Sequence, residues 1–314
     1  MILTKDLPRL ALPIGDPNGI GPEIVLRACA EVKNADIIVV GERKILEFYS
    51  GRFGLPLPES IHDPGTETEV QPGVVTPEAG RATIVATKAA IRMAQKGEVA
   101  AVVAAPHNET AVYKAGIDFD GYPSLLARIT ETNPDEVFLL LVSPNHRIVN
   151  VTLHVPLRIA LEQLTVERIL KAAHAADTAC RRFGIASPRI GLCGINPHAG
   201  EKGLFGSEDE EILVPAVQQA KDRGLDLAGP VGADVLLAEG GYDVYLAMYH
   251  DQAHIPIKLA GRGNSFGLSI GAPVLLATVA HGSAHDIAGQ GKADPAALTG
   301  VLTKLANLLK SDSQ

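Results

Sequence analysis

Apolar and polar positions alternate along the chain in blocks that predict α/β units. Short apolar runs of strand character stand next to longer stretches whose apolar positions recur every three or four residues, as in amphipathic helices. Examples are "LALPIG" before "GPEIVLRACAEV", "DIIVVG" before "ERKILEFY", and "EVAAVVAAP" after "ATIVATKAAIRMAQKG". This alternation predicts a buried parallel sheet covered by helices.

Two further apolar runs predict an antiparallel pair within that sheet. "EVFLLLVS" and "HRIVNVTLHV" are joined by the turn residues Pro144 and Asn145, a connection too short for a parallel crossover. Helical stretches follow over about 156–184 and 207–223, separated by the strand-like "RIGLCGI", and "DPAALTGVLTKLANLLK" predicts a last amphipathic helix. We therefore expect a mixed, mostly parallel sheet, with two interleaved lobes since no repeat or linker separates them.

Composition and charge exclude several classes of protein. Hydrophobic residues make up 46% of the chain but aromatic residues only 4%, which suits helices packed on parallel strands. The net charge of −8 comes from interspersed acids and bases, so we expect no nucleic-acid or membrane partner. The three cysteines lie far apart, which argues against disulfides and zinc ribbons. The run "RLALPIGDP" is too short for a signal peptide, and a cytoplasmic protein is expected.

The stretch "AMYHDQAHIPIK", residues 247–258, has the histidine spacing of a zinc-peptidase helix. Asp251 stands where the peptidase has its glutamate base, and the strand-like "YDVYLAMY" runs into the first histidine. Pro256 follows His254 by two residues, and proline inside a helix costs about 3 kcal/mol. The sequence therefore predicts against a long helix carrying His250 and His254, and against a peptidase.

Three histidines each follow a strand-like run. His154 ends "VNVTLH", His198 lies in "GINPHAGE", and His250 ends "YLAMYH". The carboxyl ends of parallel strands converge on one crevice, where three neutral imidazoles and an open position make a catalytic divalent-metal site. Spacing alone leaves open that they are separate structural histidines.

Two glycine-rich stretches differ in what they predict. "GDPNGIGPE" opens a helix after a strand, but its glycine order is not that of the dinucleotide fingerprint, and a tight turn explains it. "HGSAHDIAGQGKADP" is similar to the H-G-S-A-P-D-I-A-G-x-G-x-A-N-P loop that binds the adenosine half of NAD or NADP in isopropylmalate and isocitrate dehydrogenases. The cofactor-binding residues that this resemblance implies are His281, Gly282, Ser283, Ala284, Asp286 and Asp294.

Five ordered motifs together resemble the 4-hydroxythreonine-4-phosphate dehydrogenase family of vitamin B6 biosynthesis. They are "GDPNGIGPE", "VTLHVPLR", "GINPHAGE", "AMYHDQAHIPIK" and "HGSAHDIAGQGKAD", and they cover essentially the whole chain. The resemblance implies an α/β/α architecture like that of isopropylmalate and isocitrate dehydrogenases. Its two lobes would be residues 1–115 with 260–314 on the cofactor side, and 116–259 for metal binding and dimerisation. It also implies a homodimer with a shared active site.

The same resemblance implies roles for individual residues. His154 and His198 would bind the metal, zinc first and iron, cobalt, manganese or magnesium as alternatives, together with the partner's His250. Lys258 and Asp234 match a substrate-binding lysine and an acid beside the site, both assigned to catalysis. We further expect His107, Asn108 and Glu109 to line the cleft, and His254 and His285 to be neighbouring or structural residues.

The sequence departs from the phosphohydroxythreonine enzymes at their substrate contacts. Gly121-Tyr122-Pro123-Ser124 replaces G-H-T-E, Gly267 replaces an Asn, and Leu276 replaces an Arg. Each lost charge-assisted donor would weaken phosphate binding by about 1.5–3 kcal/mol. The chain more closely resembles the family's branch of terephthalate 1,2-cis-dihydrodiol dehydrogenases. The substrate contacts expected for a small anionic substrate are Tyr122, Pro123, Ser124, Lys258 and Leu276.

The predicted reaction is the metal- and NAD(P)-dependent oxidative decarboxylation of a β-hydroxy carboxylate. Terephthalate 1,2-cis-dihydrodiol, giving protocatechuate, is the first hypothesis, and 4-phosphohydroxy-L-threonine is the alternative substrate. Two hypotheses outside the dehydrogenases are a phosphate acyltransferase on a related scaffold and a metal-binding module without catalysis. The former leaves the histidines and the NAD-type loop unexplained, and the latter leaves that loop unexplained.

Overall fold

The computed structural model describes residues 7–119, 121–261, 265–279 and 281–311. The chain forms two compact units: unit 1 comprises Met1–Thr130 and Pro273–Gln314, and unit 2 comprises Glu131–Ala272. The boundaries thus fall after residues 130 and 272, where the sequence-based division has 115 and 259. The first boundary lies after helix 122–130 because this helix packs on helix 77–95 of unit 1. The second lies after strand 266–270 because this strand pairs with strand 138–142 of unit 2.

The described strands of unit 1 are all parallel. Their spatial order is β3-β2-β1-β4-β11. They are β1 (Arg9–Pro13), β2 (Asp36–Val40), β3 (Ser60–His62), β4 (Ala101–Ala104) and β11 (Leu276–Val279). Leu10, Ala11 and Leu12 of β1 are fully buried, as expected for a strand in the middle of a parallel sheet.

Helices follow or connect these strands, and polar caps set where several of them begin. They are α1 (Gly21–Glu31), α2 (Arg43–Phe53), α3 (Pro77–Gln95), α4 (Glu109–Lys114), α5 (Tyr122–Thr130) and α11 (Ala296–Ser311). The side chain of Thr76 accepts a hydrogen bond from the Ala79 N–H at the start of α3, and Pro77 occupies the first helical position. Asn108 caps α4 in the same way. Such caps satisfy N–H groups that have no partner within the helix.

The turn between β1 and α1 explains the glycines of "GDPNGIGPE". Gly15 has φ of 71°, and a Cβ there would lie 2.2 Å from the carbonyl oxygen of Pro106. A Cβ on Gly19 would lie 2.7 Å from the side chain of Ser283. Glycine is therefore required because the chain passes too close to its neighbours for a side chain. The expected tight turn is confirmed.

Unit 2 combines an antiparallel segment with a parallel one. Its spatial order is β10-β5-β6-β9-β7-β8. β5 is antiparallel to both of its neighbours, β10 and β6, whereas β6, β9, β7 and β8 are parallel. The strands are β5 (Phe138–Val142), β6 (Arg147–Asn150), β7 (Arg189–Cys193), β8 (Asp226–Val231), β9 (Val244–Ala247) and β10 (Phe266–Ile270). The predicted α/β class with mixed, mostly parallel strands is confirmed, including the hairpin through Pro144 and Asn145.

The two helical stretches that the sequence predicts in unit 2, 156–184 and 207–223, are each divided in the structure. The described helices of this unit are α6 (Leu157–Gln163), α7 (Val166–Arg182), α8 (Val214–Asp222), α9 (Ala233–Glu239) and α10 (His250–Gly261). The stretch 156–184 is two helices, because Thr165 has an extended backbone and its side chain caps α7 through the Arg168 N–H. A π-helical turn, Asp209–Leu213, precedes α8.

The prediction against a helix through both histidines of "AMYHDQAHIPIK" is wrong. α10 begins at His250, ends at Gly261 and contains Pro256 in its interior. Ala253 and Ile257 on either side of the proline are buried against Leu141 and Ile148, so tertiary packing offsets the local penalty. The side chain of Gln252 also fixes the first turn, since it accepts from the Met248 N–H and donates to the Gly194 carbonyl.

None of the helices in the described ranges is both long and apolar enough to cross a membrane.

Candidate functional site

The three candidate metal ligands follow three neighbouring parallel strands of unit 2. β6 pairs with β9 and β9 with β7, all parallel, so their carboxyl ends lie at one edge. His154 comes four residues after β6, His198 five residues after β7, and His250 three residues after β9. The three histidines thus follow the ends of adjacent strands, as the sequence predicts for strand-end positions. Ligation of a metal by these residues stays a prediction.

The rings of two candidate ligands, His154 and His250, lie close together in the chain, and the ring of His254 lies beside them. The ring centroids of His154 and His250 are 5.4 Å apart, and those of His250 and His254 are 3.8 Å apart and nearly parallel. Burial, with the neighbouring His250 and Lys258, lowers the pKa of His254 to about 4, so this imidazole is neutral at pH 7. Its Nε2 is buried without a hydrogen-bond partner among the described residues. Neutral imidazoles with free nitrogens are the donors that zinc and similar ions accept.

His198 lies in a different local setting. Its ring stands 6.1 Å from that of Phe205, and its backbone is left-handed, with φ of 55°. Within the residues that the structure describes, no three His, Cys, Asp or Glu side chains of the single chain form a group able to hold a metal ion. The ligand set implied by the resemblance takes one histidine from a second subunit.

The two candidate catalytic residues both flank these histidines. Lys258 is exposed on α10 and continues the series His250, His254 at a spacing of four, which places all three on one helix face. Asp234 is exposed in the first turn of α9. A Cβ on Gly232 would lie 2.9 Å from Asp234 Oδ1 and 3.9 Å from His198 Cα, so this glycine separates the carboxylate from the His198 turn.

In unit 1, hydrogen bonds from neighbouring residues anchor the backbone of the predicted cofactor loop, and the loop is exposed at Gly282. The Ile20 N–H donates to the Ser283 carbonyl over 2.9 Å, and Arg27 and Arg52 donate to the carbonyls of Gly291 and Gly289. Gly282 is exposed, and no atom lies within 4 Å of where its Cβ would be. Backbone that is anchored on one side and unobstructed on the other suits close approach of a dinucleotide.

The other predicted cofactor residues are distributed along this loop. His281, Asp286 and Asp294 are exposed, Ser283 is buried, and Ala284 is half-buried with φ of 40°. Asp294 Oδ1 accepts from the Ala296 N–H and so caps the start of α11. The exposed residues of the set can reach a cofactor, whereas Asp294 has a structural role as well.

A hydrogen-bonded contact between a histidine of the same loop and a buried acid was not found by sequence reasoning. His285 Nε2 lies 2.9 Å from Asp16 Oδ2, and the Asp16 side chain is fully buried. His285 stands where the related dehydrogenase loop has proline, and that departure was the available sequence signal. The pair joins the "GDPNGIGPE" turn to the candidate cofactor loop.

The predicted substrate contacts in unit 1 are mostly buried. Tyr122 is 6% exposed, and its ring lies 4.9 Å from that of His107 and 5.5 Å from that of Phe119. Pro123 is buried, Ser124 is half-buried, and Leu276 is fully buried in β11. Burial also lowers the pKa of His107. In this structure Tyr122 and Leu276 are core residues of unit 1.

Comparison with known proteins gives one consistent result. A family profile described as pyridoxal phosphate biosynthetic protein PdxA matches residues 27–303. A 1,2-dihydroxy-3,5-cyclohexadiene-1,4-dicarboxylate dehydrogenase of Comamonas sp. is 46% identical, over 92% of this chain and 94% of that protein. A terephthalate 1,2-cis-dihydrodiol dehydrogenase from Burkholderia xenovorans LB400, known from a crystal structure, has 41% sequence identity to this chain and a TM-score of 0.74. The match covers 97% of this chain and 98% of that one. A 4-hydroxythreonine-4-phosphate dehydrogenase from Klebsiella pneumoniae is 33% identical, with a TM-score of 0.84 and coverage of 96% and 99%.

Proposed function

Because this chain belongs to the PdxA family and is a dehydrogenase acting on CH–OH groups, we propose that its substrate is terephthalate 1,2-cis-dihydrodiol. The observation that carries the proposal is the identity of 46% to a protein named for that dicarboxylate, against 33% to the Klebsiella phosphohydroxythreonine enzyme. The replacement of G-H-T-E by Gly121-Tyr122-Pro123-Ser124 supports it, since a phosphate would lose a histidine donor.

The proposed reaction is an oxidation followed by decarboxylation. The hydroxyl-bearing carbon next to the carboxylated carbon gives its hydride to NAD(P)⁺ and its hydroxyl proton to a base, which leaves a β-keto acid. The bond to that carboxylate then breaks and CO₂ leaves. The electron pair forms a ring double bond to the former carbonyl carbon, whose oxygen takes the negative charge. This restores aromaticity, and protonation of that oxygen gives protocatechuate.

Residues of unit 2 are suited to hold a metal for this chemistry. We assign His154, His198 and the partner's His250 as its ligands. The clustering of the His154, His250 and His254 rings, with the buried Nε2 of His254 lacking a hydrogen-bond partner among the described residues, fits such a group. A divalent metal, zinc first, supplies Lewis acidity that favours ionised oxygens on the substrate. Lys258 offers its ammonium to a substrate carboxylate, and Asp234 is placed to accept or orient a proton beside His198.

Residues of unit 1 are assigned to the nicotinamide cofactor. The loop from His281 to Asp294 holds NAD or NADP through its open backbone at Gly282 and its exposed polar side chains. Bound there, NAD or NADP would supply the hydride acceptor. In our assignment Ser283 fixes the loop and does not contact the cofactor, because its side chain is buried against Gly19.

The proposed ligand set requires a homodimer, and unit 2 exposes apolar side chains suited to a second copy. Leu204 is 71% exposed, Leu259 73% and Leu157 56%. Covering exposed apolar side chains with a second copy removes them from water, which is favourable. We propose that a second copy of the chain covers them.

The assay for the activity is absorbance at 340 nm with NAD⁺ or NADP⁺, metal, and either terephthalate dihydrodiol or 4-phosphohydroxythreonine. We expect reduced cofactor and protocatechuate from the diol and little product from the phosphate. Faster turnover of 4-phosphohydroxythreonine than of the diol would show that the phosphorylated compound is the substrate. Reduced cofactor from neither would refute both.

Two experiments test the ligands. His198→Ala should lose metal and activity, whereas His174→Ala, an exposed histidine on α7 of the same unit, should keep both. Mixing His154→Ala protein with His250→Ala protein tests the shared site, because a mixed dimer contains one site with all three histidines. Recovered activity supports a ligand from the partner, and no recovery after demonstrated subunit exchange contradicts it.

A further inference from the structure

The loop that carries His198 has an unusual backbone. His198, Ala199 and Lys202 have φ of 55°, 53° and 56°, and Glu201 has 44°. Residues other than glycine rarely adopt the left-handed conformation, because Cβ comes too close to the following carbonyl oxygen. A run of this kind persists only where neighbouring structure enforces it, and such strain is found at functional sites.

Asp209 supplies that enforcement. Its side chain is fully buried, and its carboxylate accepts hydrogen bonds from the Ile195 N–H at 2.9 Å, the Asn196 N–H at 3.1 Å and the Asn196 Nδ2 at 3.0 Å. Only Pro197 separates these residues from the left-handed run that begins at His198. An acceptor that takes three donors at once fixes those donors relative to one another.

The fit around this carboxylate is close on both sides of the loop. A Cβ on Gly194 would lie 3.1 Å from Asp209 Oδ1, and one on Gly200 would lie 3.4 Å from Asp209 Oδ2. Asp209 also begins the π-helical turn before α8, and such turns occur frequently at functional sites. The carboxylate therefore occupies the space between the two ends of the His198 loop.

The segment just before this loop is also tied to the helix that carries His250. Gly194 donates its N–H to the Val231 carbonyl over 2.7 Å and accepts from Gln252 Nε2 over 2.8 Å. Gln252 lies two residues after His250 on α10. Hydrogen bonds from β8 and α10 thus fix Gly194 at the end of β7, while Asp209 binds the next two residues, Ile195 and Asn196.

We propose that Asp209 is a positioning residue for His198. Its three hydrogen bonds hold residues 195–196 so that the left-handed run keeps the His198 imidazole at the metal position. This inference rests on the assignment of His198 as a ligand in the proposed function. Asp209 itself touches neither metal nor substrate in this assignment.

The test compares Asp209→Asn with Asp177→Asn, a mostly buried acid on α7 of the same unit that pairs with Arg181. We expect Asp209→Asn to weaken zinc affinity by about 10-fold or more, the range seen when groups that orient a ligand are removed, and Asp177→Asn to leave it unchanged. Affinity is measured by competition with a chromophoric chelator. The visible spectrum of the cobalt-loaded protein should change shape in Asp209→Asn alone.

Asn196→Ala provides a milder second variant in case Asp209→Asn does not fold. It removes only the side-chain bonds to Asp209 and Glu208, so we expect a smaller loss of zinc affinity in the same direction. In metal-free protein, amide hydrogen exchange over residues 195–203 should accelerate in both variants and not in Asp177→Asn.

The outcomes separate this inference from the function on which it rests. Folded Asp209→Asn that binds zinc like the wild type, with the same cobalt spectrum, overturns the positioning role. Wild-type protein that binds no divalent metal overturns the ligand assignment itself, and the hydrogen-exchange comparison then shows whether Asp209 still holds the loop.

Discussion

The pair formed by Asp16 and His285 gives the sharpest prediction for stability. The Asp16 carboxylate is fully buried, accepts the Asn18 N–H at 2.8 Å through Oδ1, and faces His285 Nε2 at 2.9 Å through Oδ2. His285→Ala would leave a buried carboxylate with the Asn18 donor alone. Leaving a buried acceptor without a partner costs about 1–3 kcal/mol, and more when the group is charged, so we expect a loss of about 3 kcal/mol.

The measurement is urea denaturation followed by far-UV circular dichroism, since the chain contains no tryptophan. A loss of about 3 kcal/mol corresponds to a fall in Tm of roughly 6–12 °C for a protein unit of this size. Asp16→Asn removes the buried charge and keeps the side-chain shape, so we expect a smaller loss of about 1–2 kcal/mol. The double variant should then lose less than the sum of the two single losses, because the sites are in contact.

Two results would contradict this reasoning. His285→Ala with an unfolding free energy within about 0.5 kcal/mol of wild type would show that Asp16 needs no partner, since that range is typical of surface substitutions. Fully additive single losses would show that the two side chains do not interact. His62→Ala, an exposed histidine in unit 1, serves as the control.

Two further predictions concern local features. Thr76→Ala should lower stability by about 1 kcal/mol, because the α3 cap to the Ala79 N–H is lost, and Thr76→Ser should retain most of it in the same urea titration. Burial raises the pKa of all three thiols to about 12, so the thiolate fraction at pH 8 is minimal and the folded protein should not react with Ellman's reagent until urea exposes Cys29, Cys180 and Cys193. Rapid modification of the folded protein at pH 8 would contradict the raised pKa.

The sequence predicted those parts of the fold that local patterns determine. The strand runs at β1, β2 and β4 have the apolar character of buried parallel strands, and the Pro144-Asn145 turn is too short for anything but an antiparallel pair. The positions of His154, His198 and His250 after strand ends followed from the same patterns. Each of these features depends on residues close together in the chain.

Features that depend on distant residues could not be predicted in this way. The proline penalty argued against α10, but the burial of Ala253 and Ile257 by strands far away in sequence decides the conformation. Likewise, the contact between Asp16 and His285 spans 269 residues, and nothing in the spacing of either motif indicates it. The roles assigned to His154, His198, His250, Lys258 and the cofactor loop stay predictions that the variants above can test.

The discontinuity of unit 1 has a consequence for biosynthesis. Its strand β4 pairs with β11, and its Asp16 turn docks on residues 283–285, so its core is incomplete until the last part of unit 1 has been translated. Unit 2 is one continuous segment, 131–272, and can form its contacts earlier on the ribosome. At about 5–20 residues per second, the amino-terminal part of unit 1 waits on the order of 10 s for its missing strand. During that interval β4 lacks its neighbour β11, and chaperone binding should concentrate at this unpaired strand.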